Sequence, residues 1–135
     1  MSILADTSGL LALLDADSAW HGAASGLLGR EELLVPSSVL CEVDYMAATR
    51  LGAATAQAFL EDVVNGAYGF LNVEFTDIAR ALELMRAHAD ARIGYVDASV
   101  VALAERHRLN RVLTLDRRHF SIFRPKGLTH LELLP

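Results

Sequence analysis

The sequence predicts an α/β fold, a single domain over residues 1–135 with a mainly parallel sheet of about five strands flanked by helices. Three observations carry that expectation. Near each end of the chain a short apolar run closes on an aspartate: Ser2-Ile3-Leu4-Ala5 leads into Asp6, and Val112-Leu113-Thr114-Leu115 leads into Asp116. Between them, strand-like runs alternate with segments of helical period. The chain has 135 residues, 53% of them hydrophobic, with a mean hydropathy of +0.30, which suits one domain with a real core.

The elements follow in order. After the first strand, Thr7 or Ser8 can cap a helix through Leu10, Leu11, Leu13 and Leu14, which stops at Asp15-Ala16-Asp17-Ser18. A second, alanine-rich helix is expected from about Ala19 to Leu28. At its start Trp20 reads as packing and His21 as solvent-facing or a helix-end hydrogen bonder, with ligand contact the alternative for either. Leu33-Leu34-Val35-Pro36 reads as the second strand. Ser37 is a good N-cap for a helix whose apolar face holds Val39, Leu40, Val43, Met46, Ala47 and Leu51. Glu42 and Asp44 border that face on opposite sides, and periodicity does not choose between them.

Gly52 separates this helix from another carrying Ala56, Phe59, Leu60, Val63 and Val64. Tyr68–Val73 reads as a third strand. Ile78, Leu82, Met85 and Ala89 give the next helix its predicted inner face. A further helix starts near Asp97 and runs to about His107, with Asp97 on its apolar side, either as N-cap or aimed into a polar site. The strand ending at Asp116 comes next, and Thr129–Leu133 closes the sheet.

The same composition narrows the setting. No apolar run approaches the roughly 18 residues that cross a bilayer, and the N-terminus has neither a basic n-region nor a cleavage site. The lone Cys41 forms no internal disulfide, so a reducing, cytoplasmic setting is expected. The net charge of −5 argues against a nucleic-acid partner until its distribution is considered. Residues 1–105 carry a balance of −10 and residues 106–135 one of +5. Arg106, Arg108, Arg111, Arg117, Arg118, Arg124 and Lys126 form that basic quarter, which is either a phosphate-contacting surface or a solvated helix end and loop.

In a parallel α/β sheet, ligands sit outside the carboxyl ends of the strands. Asp6 and Asp116 end strands, and Glu42 and Asp97 fall in the first turns of helices that enter from that edge. If all four converge, repulsion is large: two charges 4 Å apart cost about 4 kcal/mol at an effective dielectric of 20. A hard cation such as Mg²⁺ or Mn²⁺ suits such an all-oxygen set. The five histidines, His21, His88, His107, His119 and His130, show no zinc spacing. Such an ion can activate water and stabilise charge on a phosphodiester, with Thr7, Ser8 and Thr114 available to orient groups around it.

Four blocks in order resemble the PIN-domain ribonucleases, and more narrowly the VapC toxins of prokaryotic toxin–antitoxin pairs. They are Ile3-Leu4-Ala5-Asp6-Thr7-Ser8-Gly9-Leu10-Leu11-Ala12, Val39-Leu40-Cys41-Glu42-Val43, Val96–Ala104 and Val112–Phe120. The resemblance implies a Mg²⁺- or Mn²⁺-dependent endoribonuclease acting on structured RNA, tRNA or rRNA, with Asp6, Glu42, Asp97 and Asp116 as the catalytic and metal-binding quartet. It decides for Glu42 over Asp44. It further implies a homodimer restrained by a VapB-like antitoxin. A haloacid-dehalogenase-type phosphotransferase would need a second aspartate where Ser8 stands, and a receiver domain a lysine at a strand end, whereas the only lysine is Lys126. The remaining alternatives are an inactive PIN-fold binding module, which the presence of all four carboxylates opposes, and a DNA-directed nuclease of the same superfamily.

Overall fold

The computed structural model describes residues 1–135. Its elements are β1 (Ser2–Ala5), α1 (Thr7–Leu14), α2 (His21–Leu28), β2 (Glu32–Pro36), α3 (Leu40–Leu51), α4 (Ala53–Val64), β3 (Gly69–Leu71), α5 (Phe75–Ala87), α6 (Tyr95–His107), β4 (Arg111–Leu113), α7 (Arg117–Phe120) and β5 (Glu132–Leu134). Five strands form one sheet in the order β3-β2-β1-β4-β5, and every pairing is parallel. The expected α/β class and strand number are therefore observed.

β1 lies at the centre because its residues can be buried on both faces: Ile3, Leu4 and Ala5 are fully inaccessible. Leu4 pairs with Leu34 of β2 on one side and with Val112 of β4 on the other. The chain leaves β1 toward β2, while β4 arrives on the opposite flank. That reversal makes the gap beyond β1 and β4 the topological switch point, where an open sheet leaves a crevice. Gly9 lets α1 settle directly on β4, since a Cβ there would lie 2.6 Å from Leu113 Cγ and closer still to the Leu113 carbonyl oxygen. Asp6, one residue before α1, is consequently held against β4, its N–H donating to Leu113 O at 2.9 Å.

Several local expectations are corrected. Neither Thr7 nor Ser8 caps α1; Asp6 occupies the N-cap position and its carboxylate does not cap, while Ser8 Oγ instead takes the Leu115 N–H at 2.8 Å. α2 begins at His21 rather than Ala19, and Trp20 is half exposed instead of packed. His21 does act as a helix-end hydrogen bonder, Nδ1 lying 3.0 Å from Ala12 O. Ser37 opens a 3₁₀ turn, Ser37–Val39, and accepts from Val73 N at 2.8 Å, so α3 proper starts at Leu40. The third strand is shorter than Tyr68–Val73, and the last is displaced from Thr129–Leu133 to Glu132–Leu134.

The inner face of α5 is rotated by one residue from the predicted stripe. Asp77, Ala81 and Leu84 are buried, whereas Ile78 and Leu82 are each 44% exposed. An ion pair explains the rotation. Asp77 accepts from Arg106 of α6 at 2.8 and 2.9 Å and from the Glu74 N–H at 2.9 Å, closing a capping box at the start of α5. One turn on, Arg80 makes a two-pronged pair with Glu105 at 2.7 and 3.0 Å. Two arginine–carboxylate pairs thus select the α5 face that hydrophobic periodicity alone assigns differently. No helix is long and apolar enough to cross a membrane.

Candidate metal centre

Beyond the carboxyl ends of β1 and β4 lies a cleft of about 590 Å³, lined among others by Asp6, Glu42, Asp97, Asp116 and His119. All four carboxylates singled out in the sequence thus border one space. Asp44, the alternative to Glu42, does not line it. Asp6 is delivered by the buried end of β1 and is itself 3% exposed. Glu42 projects from the first turn of α3. Asp97 stands in the first turn of α6, whose N-cap is Gly94, so the capping reading of Asp97 is set aside. Asp116 lies past the end of β4 and caps the short α7, accepting from His119 N at 3.1 Å. The positive ends of the α3 and α6 dipoles offset a fraction of this negative charge.

A hydroxyl network seats the buried part of the cluster. Thr114, fully inaccessible, donates to Asp6 Oδ2 at 2.9 Å and accepts from Asp116 N at 3.0 Å. Ser8 Oγ stands 3.1 Å from Thr114 Oγ1. The other oxygen of Asp6, Oδ1, is buried with no partner, as is Thr7 Oγ1. A buried carboxylate oxygen left unpaired is costly unless protonated or met by a cation.

His119 is the side chain that sequence reasoning missed. Its Nδ1 lies 2.8 Å from Asp116 Oδ2 and 4.0 Å from Asp97 Oδ2. Ligand atoms of Asp97, Asp116 and His119 all fall within 4.8 Å of one another, close enough to share one ion. The available signal was its place three residues after Asp116, which becomes a one-turn neighbour only once Arg117–Phe120 is helical. Counting histidines for zinc spacing hid it.

Electrostatics match this geometry. Burial, then the charges of Asp6 and Asp116, push Asp97 from 3.8 to about 7, with His119 pulling the other way. Asp6 is also raised, chiefly by burial and against its hydrogen bond from Thr114. Arg50 lines the cleft yet makes no ion pair with the carboxylates. Oxygen donors dominate the set, and Asp6, whose buried Oδ1 has no partner, feels the like charges of Glu42 and Asp116, so the residues fit a hard divalent cation. Of the predicted basic quarter, Arg106 and Arg111 are consumed by ion pairs, Arg111 with Glu31 at 3.0 Å and Glu132 at 3.4 Å, and Arg117 donates to Pro135 O at 2.6 Å; Arg108, Arg118, Arg124 and Lys126 have no carboxylate within salt-bridge distance of their side chains.

A strand-end carboxylate cluster at the switch point of a β3-β2-β1-β4-β5 parallel sheet defines a class of metal-site α/β domain, and comparison places it. The PIN domain family matches residues 3–124, and the chain belongs to that family. It is homologous to VapC-type toxins: it is 38% identical over 135 residues to ribonuclease VapC26 of Mycobacterium tuberculosis, covering 98% of this chain and all of that one. The fold is shared with the M. tuberculosis VapC20 crystal structure, a sarcin–ricin-loop-cleaving toxin, at a TM-score of 0.79 and 23% identity over 86% of this chain and 91% of that one. It is shared too with a DNA-bound VapBC of Salmonella typhimurium, at a TM-score of 0.71 and 18% identity over 98% of both chains.

Proposed function

We propose that this chain is a Mg²⁺- or Mn²⁺-dependent endoribonuclease toxin that hydrolyses phosphodiester bonds in structured RNA, tRNA or rRNA, and is held inactive by a VapB-like antitoxin. The observation that carries the reading is the one cleft that Asp6, Glu42, Asp97 and Asp116 all line, with ligand atoms of Asp97, Asp116 and His119 within 4.8 Å of one another. Asp6, Glu42, Asp97 and Asp116 are the proposed ligands and catalytic residues. Bound among them, the ion would stabilise charge developing on the phosphodiester and lower the pKa of an attacking water. The chain's own residues do the positioning. Thr114 and Ser8 fix Asp6, and His119 fixes Asp116, so the donors need little rearrangement on binding.

The cleft continues from the carboxylates past Leu11, Met46, Leu51 and Val96, an apolar wall suited to an antitoxin segment. The proposed toxin acts as a homodimer. VapC26 supports the ribonuclease reading through its name and 38% identity.

The test is cleavage of total tRNA and rRNA by antitoxin-free protein with Mg²⁺ or Mn²⁺, beside EDTA and Asp6→Asn controls. Discrete products should form with metal and vanish in both controls. Unchanged cleavage by Asp6→Asn would sink the assignment.

A further inference from the structure

Two helices start at the carboxylate cluster and pack against each other: Asp6 is the N-cap of α1, and Glu42 stands in the first turn of α3. The cleft follows the trough between them, lined by Leu11 and Asp15 from α1 and its C-cap and by Glu42, Met46 and Arg50 from α3. These three α3 residues are spaced i, i+4, i+8, so a single stripe of the helix faces the trough over two turns. Eight residues of helical rise place Arg50, in the last turn of α3, about 12 Å along the trough from Glu42. Arg50 is the only arginine or lysine lining the cleft, and it is exposed. Asp15, at the far end of α1, is turned to its own loop, Oδ1 accepting from Asp17 N at 3.0 Å, and forms no ion pair with Arg50. The Arg50 guanidinium has neither a hydrogen-bond nor a salt-bridge partner, so all five of its N–H donors are free.

The trough is therefore graded along its length. Carboxylates that suit a divalent cation stand at one end, Leu11, Met46 and Leu51 in the middle, and an unpaired guanidinium at the other end. A cation at the cluster and the guanidinium would each bind an anion, so the matching occupant carries anions at intervals along an apolar body. A single-stranded polynucleotide has that form, with phosphates recurring between flat, apolar-faced bases. Arginine suits the phosphate because its planar fork can donate two parallel bonds to it. We propose that Arg50 binds a backbone phosphate of single-stranded RNA flanking the phosphate at the carboxylate cluster, with the intervening chain lying against Leu11 and Met46. The position of that first phosphate rests on the nuclease reading; the contact at Arg50 is measured without it. An antitoxin segment over the same apolar wall would displace RNA from this path.

The test reads binding rather than turnover. Asp6→Asn protein in Mg²⁺, alone or with Arg50→Gln or Arg50→Lys added, is titrated into labelled single-stranded RNA and followed by anisotropy at several salt concentrations. Arg50→Gln should weaken binding by about three- to thirtyfold at low salt. It should also reduce the slope of log affinity against log salt by about 0.7, the value for one phosphate contact on a single strand. Arg50→Lys should keep the slope. One uncharged methylphosphonate linkage, moved along the RNA, should weaken the parent at the flanking position and leave the Arg50→Gln protein unaffected there. Unchanged affinity and slope in Arg50→Gln would overturn the proposal and leave the guanidinium to an acidic peptide. Weaker binding with an unchanged slope would overturn it as well, since a structural defect loses affinity without losing a phosphate contact. Failure of the nuclease reading appears separately, as absence of metal-dependent cleavage by the wild-type chain.

Discussion

Carboxylates are concentrated in two regions of this molecule and treated in opposite ways. Between α5 and α6, Asp77 and Glu105 are matched by Arg106 and Arg80 from the facing helix. Burial alone would raise the Asp77 carboxyl, yet the Arg106 pair and the Glu74 N–H outweigh it and hold it below its ordinary value. At the sheet edge, Asp6, Glu42, Asp97 and Asp116 share a cleft with no arginine or lysine pair, and both Asp6 and Asp97 are raised. The first cluster is complete within the chain. The second is short of positive charge, and that deficit marks where an external cation belongs.

Substitutions in the two regions should therefore shift stability in opposite directions. Asp77→Ala leaves Arg106 without its main partner and opens the α5 cap, and should cost about 3–5 kcal/mol in urea denaturation. A loss below about 1 kcal/mol would show that the pair is not what fixes the α5 face. Asp97→Asn should instead stabilise the metal-free protein, by roughly 2–4 kcal/mol at pH 8, while abolishing cleavage. The sign follows from linkage. With its folded pKa about 7 and its ordinary value 3.8, Asp97 binds more protons folded than unfolded across that interval. Metal-free stability should consequently fall as pH rises from about 4 to about 7. Asp77, depressed instead, contributes stability that is present above its ordinary 3.8 and is lost as pH falls through its lower folded value. Mg²⁺ should flatten the Asp97 limb and leave the Asp77 limb unchanged; thermal melts across pH with Mg²⁺ or EDTA read both.

The same contrast explains what could be read from the sequence. Asp6 and Asp116 announce themselves because each directly follows or closes an apolar run, and the alternation of elements places those ends on one edge. The α5–α6 pairs are invisible at that level. Asp77 looks like a solvent-facing residue in a window where Ile78 and Leu82 compete for the interior, and only the placement of Arg106, 29 residues on, reverses the choice. His119 escaped because α7 is four residues long, too short to give a periodic signal. Residue type alone assigns Trp20 to packing, whereas the turn before α2 leaves it half exposed.

Thr114→Val gives the smallest and most discriminating effect. Valine keeps the shape of a fully inaccessible side chain and removes only the hydroxyl that donates to Asp6 Oδ2 and accepts from Asp116 N. Losing these bonds should cost about 1–3 kcal/mol. The consequence for the cluster is opposite to that of losing a charge. Without Thr114, Asp6 rises further, because this hydrogen bond is the main influence holding it down against burial. More of the metal-free protein then carries a protonated Asp6, and the cation must displace that proton. Thr114→Val should accordingly weaken Mg²⁺ binding by isothermal titration more at the lower of two pH values than at the higher. Equal weakening at both values would mean that the hydroxyl only orients Asp6, and that proton competition at the site is carried by Asp97 alone.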